Sequence, residues 1–305
     1  MRTLTHTVCP EDAGRTVLFC LKKYFGLAEG AVSRLKWQPG GILLNGEPAR
    51  VNVRVCTGDV LSAQVGDTRP GGEFAPVDVP LDLLYEDEDL LIVNKPAGLA
   101  VHGRSEKGDP TLGGALAFRY GPDTVFHPVN RLDRDTSGAM VIARSGYIHD
   151  RLRRILHTPD FRREYLAVAS GIVSPTSGVV DAPIGTGTEG WKQIVRPDGR
   201  PAVTRYETVG TVPGYTLLRV FPETGRTHQI RVHMAFIGYP LAGDRLYGAP
   251  DAGITRHALH SARVTLIHPV TGARISETAP LPEDIKRLWN QHQTQEIQPV
   301  RSSSI

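Results

Sequence analysis

Residues 129–144 read VNRLDRDTSGAMVIAR. Two arginines and two aspartates crowd the positions from Arg131 to Asp135, and Thr136-Ser137-Gly138 then gives a turn signal. Ala139 to Ala143 is a short apolar run of the length of a buried strand. A carboxylate with positive charge beside it has its ionised form favoured, which makes it a poor proton donor and an available nucleophile or base. Spacing alone leaves two readings of the charges. They are a solvated turn into a strand, or one carboxylate is held there for chemistry. Asp133 and Asp135 sit at i and i+2, which share a face in extended chain. They therefore also fit the carboxylate pair used to hydrolyse glycosidic bonds.

Outward from this stretch, strand-like runs recur at Leu90–Val93, Tyr165–Ala169 and Thr216–Phe221. Helical spacing appears in GYIHDRLRRILHT, where Ile148, Leu152, Ile155 and Leu156 form one apolar stripe. Arg151 and Arg154 leave that stripe, and the 20 residues from Arg144 to Arg163 hold six arginines against two aspartates. That is a solvated basic face or a phosphate-tracking surface, and arginine's fork favours phosphate. A second helix is predicted after Gly225, with Thr227 as N-cap and Gly238 and Pro240 as its stop. It puts Arg231 in a first turn, where a cation opposes the helix dipole and calls for an anion. His228 and His233, five apart, fall on different faces of this helix, so no metal site is expected. Strands and helices in this mixture predict an α+β domain on a mixed, mostly antiparallel sheet.

The N-terminal fifth reads as a separate module over 12–65: two short helices, a hairpin turning at Asn45-Gly46, and one further strand. Residues 1–11 read as an extension. Gly- and Pro-rich 66–80 reads as a linker, 81–290 as the large domain, and the polar 291–305 as a flexible tail. The chain has 305 residues, 40% hydrophobic and 22% charged, with a net charge of +3. This is ordinary globular composition, so any nucleic-acid role must come from local clustering. Three cysteines with no C-x-x-C pair argue for a reducing compartment, and no transmembrane run or signal-peptide core is evident; a cytoplasmic, monomeric protein is expected.

With these residues assembled, the chain resembles the RluA-like family of RNA pseudouridine synthases. LLIVNKPAGLAVHG, NRLDRDTSGAMVIAR, REYLAV, GRPAVTRYETV and TGRTHQIRVHMAFIGYPLAGDRLYG follow one another in the family's order over about residues 82–250. SRLKWQPGGILLNGEPARV with the later Gly-Asp resembles an S4-type RNA-binding domain. The resemblance implies an isomerase that converts uridine in structured RNA to pseudouridine, with large-subunit (23S-type) rRNA ranked ahead of tRNA. It implies RNA as partner, no membrane, and neither metal nor organic cofactor. Asp133 would be the catalytic aspartate, Arg231 its ion-pair partner, and Tyr165 the residue that stacks on the uracil. Arg131 would fill the space of the extracted nucleotide, and Asn130, Arg226, His228 and Ile230 would line the substrate. Ser33, Arg34, Lys36, Arg151 and Arg154 would contact RNA elsewhere. Asn130 stands where the family has histidine, and Arg163-Glu164-Tyr165 where it has Lys-x-Tyr. Competing readings are a silent RNA-binding ribosome-assembly factor, and a glycosidase using Asp133 and Asp135.

Overall fold

The structure, a computed structural model, describes residues 2–67, 74–102, 110–121, 123–248 and 253–293. The N-terminal module contains β1 (Arg2–Thr7), α1 (Val17–Phe25), α2 (Glu29–Leu35), β2 (Ile42–Leu44), β3 (Glu47–Pro48) and β4 (Val60–Val65), with sheet order β1-β4-β2-β3. Thr16 caps α1 by accepting from the Phe19 amide, and Gly26 ends it in the left-handed region. Asn45 and Gly46 both take positive φ, as a tight hairpin of this kind requires. Val17, Leu21, Phe25, Val32 and Leu61 close a core of the module's own. Residues 1–11 are not a mere extension, because β1 pairs along its whole length with β4.

The large domain runs β5 (Asp82–Glu86), β6 (Leu90–Lys95), α3 (Leu112–Tyr120), β7 (His127–Pro128), β8 (Ser137–Ala143), α4 (Gly146–Ile155), β9 (Phe161–Ser170) and β10 (Ser177–Asp181). It continues with β11 (Ile184–Thr186), β12 (Gln193–Val195), β13 (Val203–Val212), β14 (Tyr215–Pro222), α5 (Gln229–Phe236), β15 (Leu259–Ile267), β16 (Arg274–Thr278) and α6 (Glu283–Gln293). Its ten-stranded sheet follows β10-β13-β14-β9-β15-β8-β6-β5, with β16 on β15 and β7 on β8. Only the β15–β8 pair is parallel, so the sheet is mixed and mostly antiparallel as predicted.

Both faces of its centre are covered, which is why β6 and β8 read as unbroken apolar runs. Leu91, Val93, Met140 and Ile142 face a core shared with Leu112 and Leu116 of α3 and Met234 of α5. Leu90, Ile92, Val141 and Ala143 face the opposite core, with Ile148 and Leu152 of α4. Each of these larger side chains contributes roughly 2 kcal/mol by leaving water. Register then aligns one rung across five strands: Lys95, Gly138, Ser261, Tyr165 and Val220 are successive Cα partners. Gly138 has φ 112, and a Cβ there would lie 2.2 Å from the Ser261 carbonyl oxygen, so only glycine fits.

Part of the predicted linker packs on the domain. Phe74 stands edge-on to Phe126 at 5.4 Å, and the Val77 amide donates to the Gly114 carbonyl at 3.1 Å. Residues 68–73 lie outside the described residues, as does the predicted tail from residue 294 onward, while 291–293 prolong α6.

Candidate active site

The turn 133–136 leads into β8 and is clamped from three sides. Lys95 ends an apolar strand and is wholly buried. Its Nζ donates to the carbonyls of Pro96, Leu99 and Arg134, each at 2.8 Å. Burial pulls Lys95 down to about 7, partly opposed by the nearby Asp135 charge. The three acceptors match the three N–H bonds of an ammonium, so the clamp is built for the charged form. Arg256 donates to the Asp135 carbonyl at 3.0 Å while its fork grips Asp284 at 2.6 and 2.9 Å. Thr136 Oγ1 bonds His257 Nε2 at 2.8 Å, and Ser137 Oγ bonds His260 Nδ1 at 2.9 Å. Burial pushes both imidazoles down to about 4.

Asp133 is thereby presented to a cleft of about 680 Å³. Arg231 Nη1 donates to Asp133 Oδ2 at 3.2 Å, and His228 Nε2 lies 3.9 Å from the same oxygen. The rest of the Arg231 fork is held by buried Asp244, at 2.7 Å from Nε and 2.9 Å from Nη2. Burial alone would raise the Asp244 carboxyl, but the arginine outweighs it and holds it below its usual range. Asp244 also accepts from the amides of Leu246 and Tyr247, which fixes its own orientation. Tyr247 lies under the Arg231 guanidinium at 5.1 Å, and its hydroxyl bonds His228 Nδ1 at 3.0 Å. Tyr165 is buried on the cleft wall, and that burial pushes its phenol up, leaving a neutral ring.

The helix carrying Arg231 starts differently from the sequence reading. Its N-cap is His228, at φ 56, not Thr227. A non-glycine residue in that region is uncommon and marks local strain. Buried Gln229 holds the entry turn: its oxygen accepts from the Arg226 amide and Thr224 hydroxyl, and its amide donates to Val203 O and Thr204 Oγ1. The anion that Arg231 needed is therefore supplied twice, by Asp133 and Asp244. His233 points away, bonded to Thr204 Oγ1 and the Ala182 carbonyl at 2.9 Å each.

Of the substrate-lining residues named from sequence, Arg131, Asn130, Arg226, His228 and Ile230 all border the cleft. Arg131 is exposed there, while Asn130 uses its Oδ1 to accept from the Val141 amide at 2.9 Å. Asp135 does not border it, so the two-carboxylate glycosidase loses its second acid. Ser33, Arg34 and Lys36 lie exposed on and just beyond α2. Arg151 instead donates to the Phe25 carbonyl at 3.2 Å, and Arg154 pairs with Asp150 at 2.7 Å. Lys95, Asp244, Tyr247 and His257 were not read as site residues. The signals were a lysine closing an apolar strand and the Gly-Asp of GDRLYG.

Asp87, Asp89 and His268 cluster closely enough to suggest a metal. However, His268 Nδ1 accepts from the Val270 and Thr271 amides, which leaves the proton on Nε2, facing Asp87 Oδ2 at 3.0 Å. The cluster holds a proton where a metal would need a lone pair.

The fold is thus an α+β domain with an arginine-lined cleft whose one carboxylate among the described residues, Asp133, is ion-paired to Arg231. Residues 89–236 match the model of the RNA pseudouridylate synthase family. Ribosomal large subunit pseudouridine synthase D of Xanthomonas campestris pv. campestris is 41% identical over 311 residues, covering 94% of this chain and 92% of that protein. The uncharacterized RNA pseudouridine synthase YjbO of Bacillus subtilis is 36% identical, covering 86% and 94%. The structure of human RNA pseudouridylate synthase domain containing 4 superposes with a TM-score of 0.58 at 24% identity, over 70% of this chain and 93% of that one. The chain belongs to the RNA pseudouridylate synthase family, and its activity class is that of an isomerase acting on uridine in RNA. No helix among the described residues is long and apolar enough to cross a membrane.

Proposed function

We propose that the protein converts uridine in large-subunit rRNA to pseudouridine, as a cytoplasmic monomer, with Asp133 as the catalytic carboxylate. The observation that carries this reading is the charge of the cleft. Six arginines line it, and Asp133 is its only carboxylate among the described residues. Such a surface attracts a phosphate backbone, and it concentrates the chemistry on one acid. The name carried by relatives such as those of Xanthomonas campestris and Yersinia pestis supports the ribosomal target. A stacked, paired uridine hides its glycosidic bond, so the nucleotide must leave the helix. Arg131, exposed in the cleft lining, fills the gap. Inside, Asp133 promotes cleavage of the N1–C1′ bond while Arg231 holds it in position. The uracil turns against the neutral Tyr165 ring and rejoins C1′ through C5. The C5 proton is then lost and N1 regains one, so atoms balance without any other reactant.

The test is a pseudouridine map of rRNA and tRNA from a deletion strain and its parent. Sites in large-subunit rRNA should vanish, return with the wild-type gene, and stay absent with Asp133→Asn. Losses confined to tRNA would overturn the target. Restoration by Asp133→Asn would overturn the role of the carboxylate.

A further inference from the structure

Arg231 lies in the cleft between two carboxylates. Arg163 is treated in the opposite way. It is 8% exposed, yet no carboxylate among the described residues pairs with it. Its Nη2 donates to the Pro222 and Thr224 carbonyls at 3.0 and 3.3 Å, and its Nε is buried with no hydrogen-bond partner. Taking a guanidinium out of water without a counter-charge is costly, and two carbonyl dipoles offset only part of that cost.

The surroundings add positive charge. A Cβ built on Gly225 would lie 3.5 Å from Arg163 Nη1 and 3.7 Å from His157 Cε1, so both groups meet over a bare glycine. His157 Nδ1 lies 3.0 Å from the Glu223 carbonyl oxygen, an acceptor only, so this nitrogen carries the proton and donates. Arg226 follows on the same turn, and exposed Arg153 stands one helical turn before His157 on this side of the cleft. Arg163 and Tyr165 alternate inward along β9, which places the unpaired cation two residues from the ring that would receive the base.

We infer that this end of the cleft is a phosphate subsite. The phosphodiester flanking the target uridine binds at Arg163 over Gly225, with Arg153 and Arg226 sharing its charge. The inference rests on the reading of the cleft as the seat of an RNA uridine, and it names the part of the RNA that Asp133 and Tyr165 do not touch. The missing counter-ion is then supplied by the substrate through Nη1, which faces the bare glycine, and bound RNA neutralises what the free protein leaves charged.

The experiment measures the dissociation constant of a large-subunit rRNA transcript over a salt series, for the full chain and its variants. Each phosphate contact contributes close to one unit to the slope of log K against log salt. Arg163→Gln and Arg153→Gln should each flatten the slope by about one unit and weaken binding about tenfold. Arg163→Lys should restore the slope. Gly225→Val keeps every charge but fills the space above the turn, and should weaken binding as well. Arg153 is exposed, so its variant reports even if Arg163→Gln unfolds. Slopes equal to wild type in both glutamine variants would overturn the subsite. So would a lowered melting temperature with an unchanged slope for Arg163→Gln, which would make the residue a clamp on two carbonyls. A wild-type protein that converts no uridine yet shows the slope differences would leave the subsite standing and sink the proposed reaction instead.

Discussion

Arg231 has five N–H donors in a rigid fork, and Asp244 takes two of them from one side. Of the three that remain, one on Nη1 donates to Asp133 at 3.2 Å. This makes Asp244 a positioning residue for the proposed chemistry. Asp244→Asn should weaken the bidentate grip and leave Arg231 free to swing. Breaking a buried ion pair costs about 3 kcal/mol, and an ångström of misplacement costs about a hundredfold in rate. Both losses should appear, in melting and in single-turnover conversion of rRNA. A double variant with Asp133→Asn should be no slower than Asp133→Asn alone. Full turnover by a destabilised Asp244→Asn protein would show that Arg231 needs no such aim. Asp133 and Arg231 were legible in the sequence because several motifs pointed to them together. Asp244 was not, because its pairing spans a loop and no periodicity links residues 231 and 244. Arg163 was visible only as a retained charge, and its lack of a counter-ion is a fact of the fold.

At the scale of elements, the strands that read as unbroken apolar runs, β6 and β8, are those buried on both faces, whereas β9 and β14 mostly alternate buried positions with more open ones. The half-exposed β10, β13 and β16 carry weaker patterns and were not singled out. The start of α5 was misread for a physical reason. Capping rules favour a threonine, whereas the Gln229 network holds His228 in a left-handed conformation that no local propensity predicts. The clamps on the 133–138 turn make it acid-sensitive. His260 bonds the Ser137 hydroxyl and the Ala279 carbonyl, and burial depresses it from 6.5 to about 4. The unfolded chain then binds the extra proton between those values. The stability is fully present above pH 6.5 and is lost as pH falls toward 4. For this one group the loss is roughly 3 kcal/mol in all, with about 2 kcal/mol of it between pH 7 and pH 5. Denaturant midpoints at those two pH values should therefore diverge, and less so in His260→Gln. An equal pH dependence in the two proteins would remove His260 from the account.

Across the whole molecule, α4 serves two domains at once. Ile148 and Leu152 pack into the large domain, while Tyr147 and Arg151 both donate to the Phe25 carbonyl, at 3.0 and 3.2 Å. Asp67 receives the Gly146 amide at 2.8 Å and faces His127 at 3.1 Å, and Arg2 pairs with Asp89 at 2.6 Å. The N-terminal module therefore sits on the large domain through these polar contacts and through the Tyr147 ring, which packs against the cores of both. The basic face of α4 is therefore divided between the two modules and the surface. Arg151 contacts a backbone carbonyl in another module, which leaves no trace in residue pattern, while Arg153 and Arg154 stay on the surface. Removing both donors, with Tyr147→Phe and Arg151→Met together, should free the module without unfolding it. Amide exchange should rise at the C-terminus of α1 and hold steady across Leu21 and Leu61, which belong to its separate core. If the module orients RNA for the cleft, affinity for rRNA should fall several-fold while conversion at saturating RNA stays at the wild-type rate. Unchanged exchange and affinity would show that the Phe25 contact orders nothing; slowed conversion at saturation would show that the module acts on the chemistry itself.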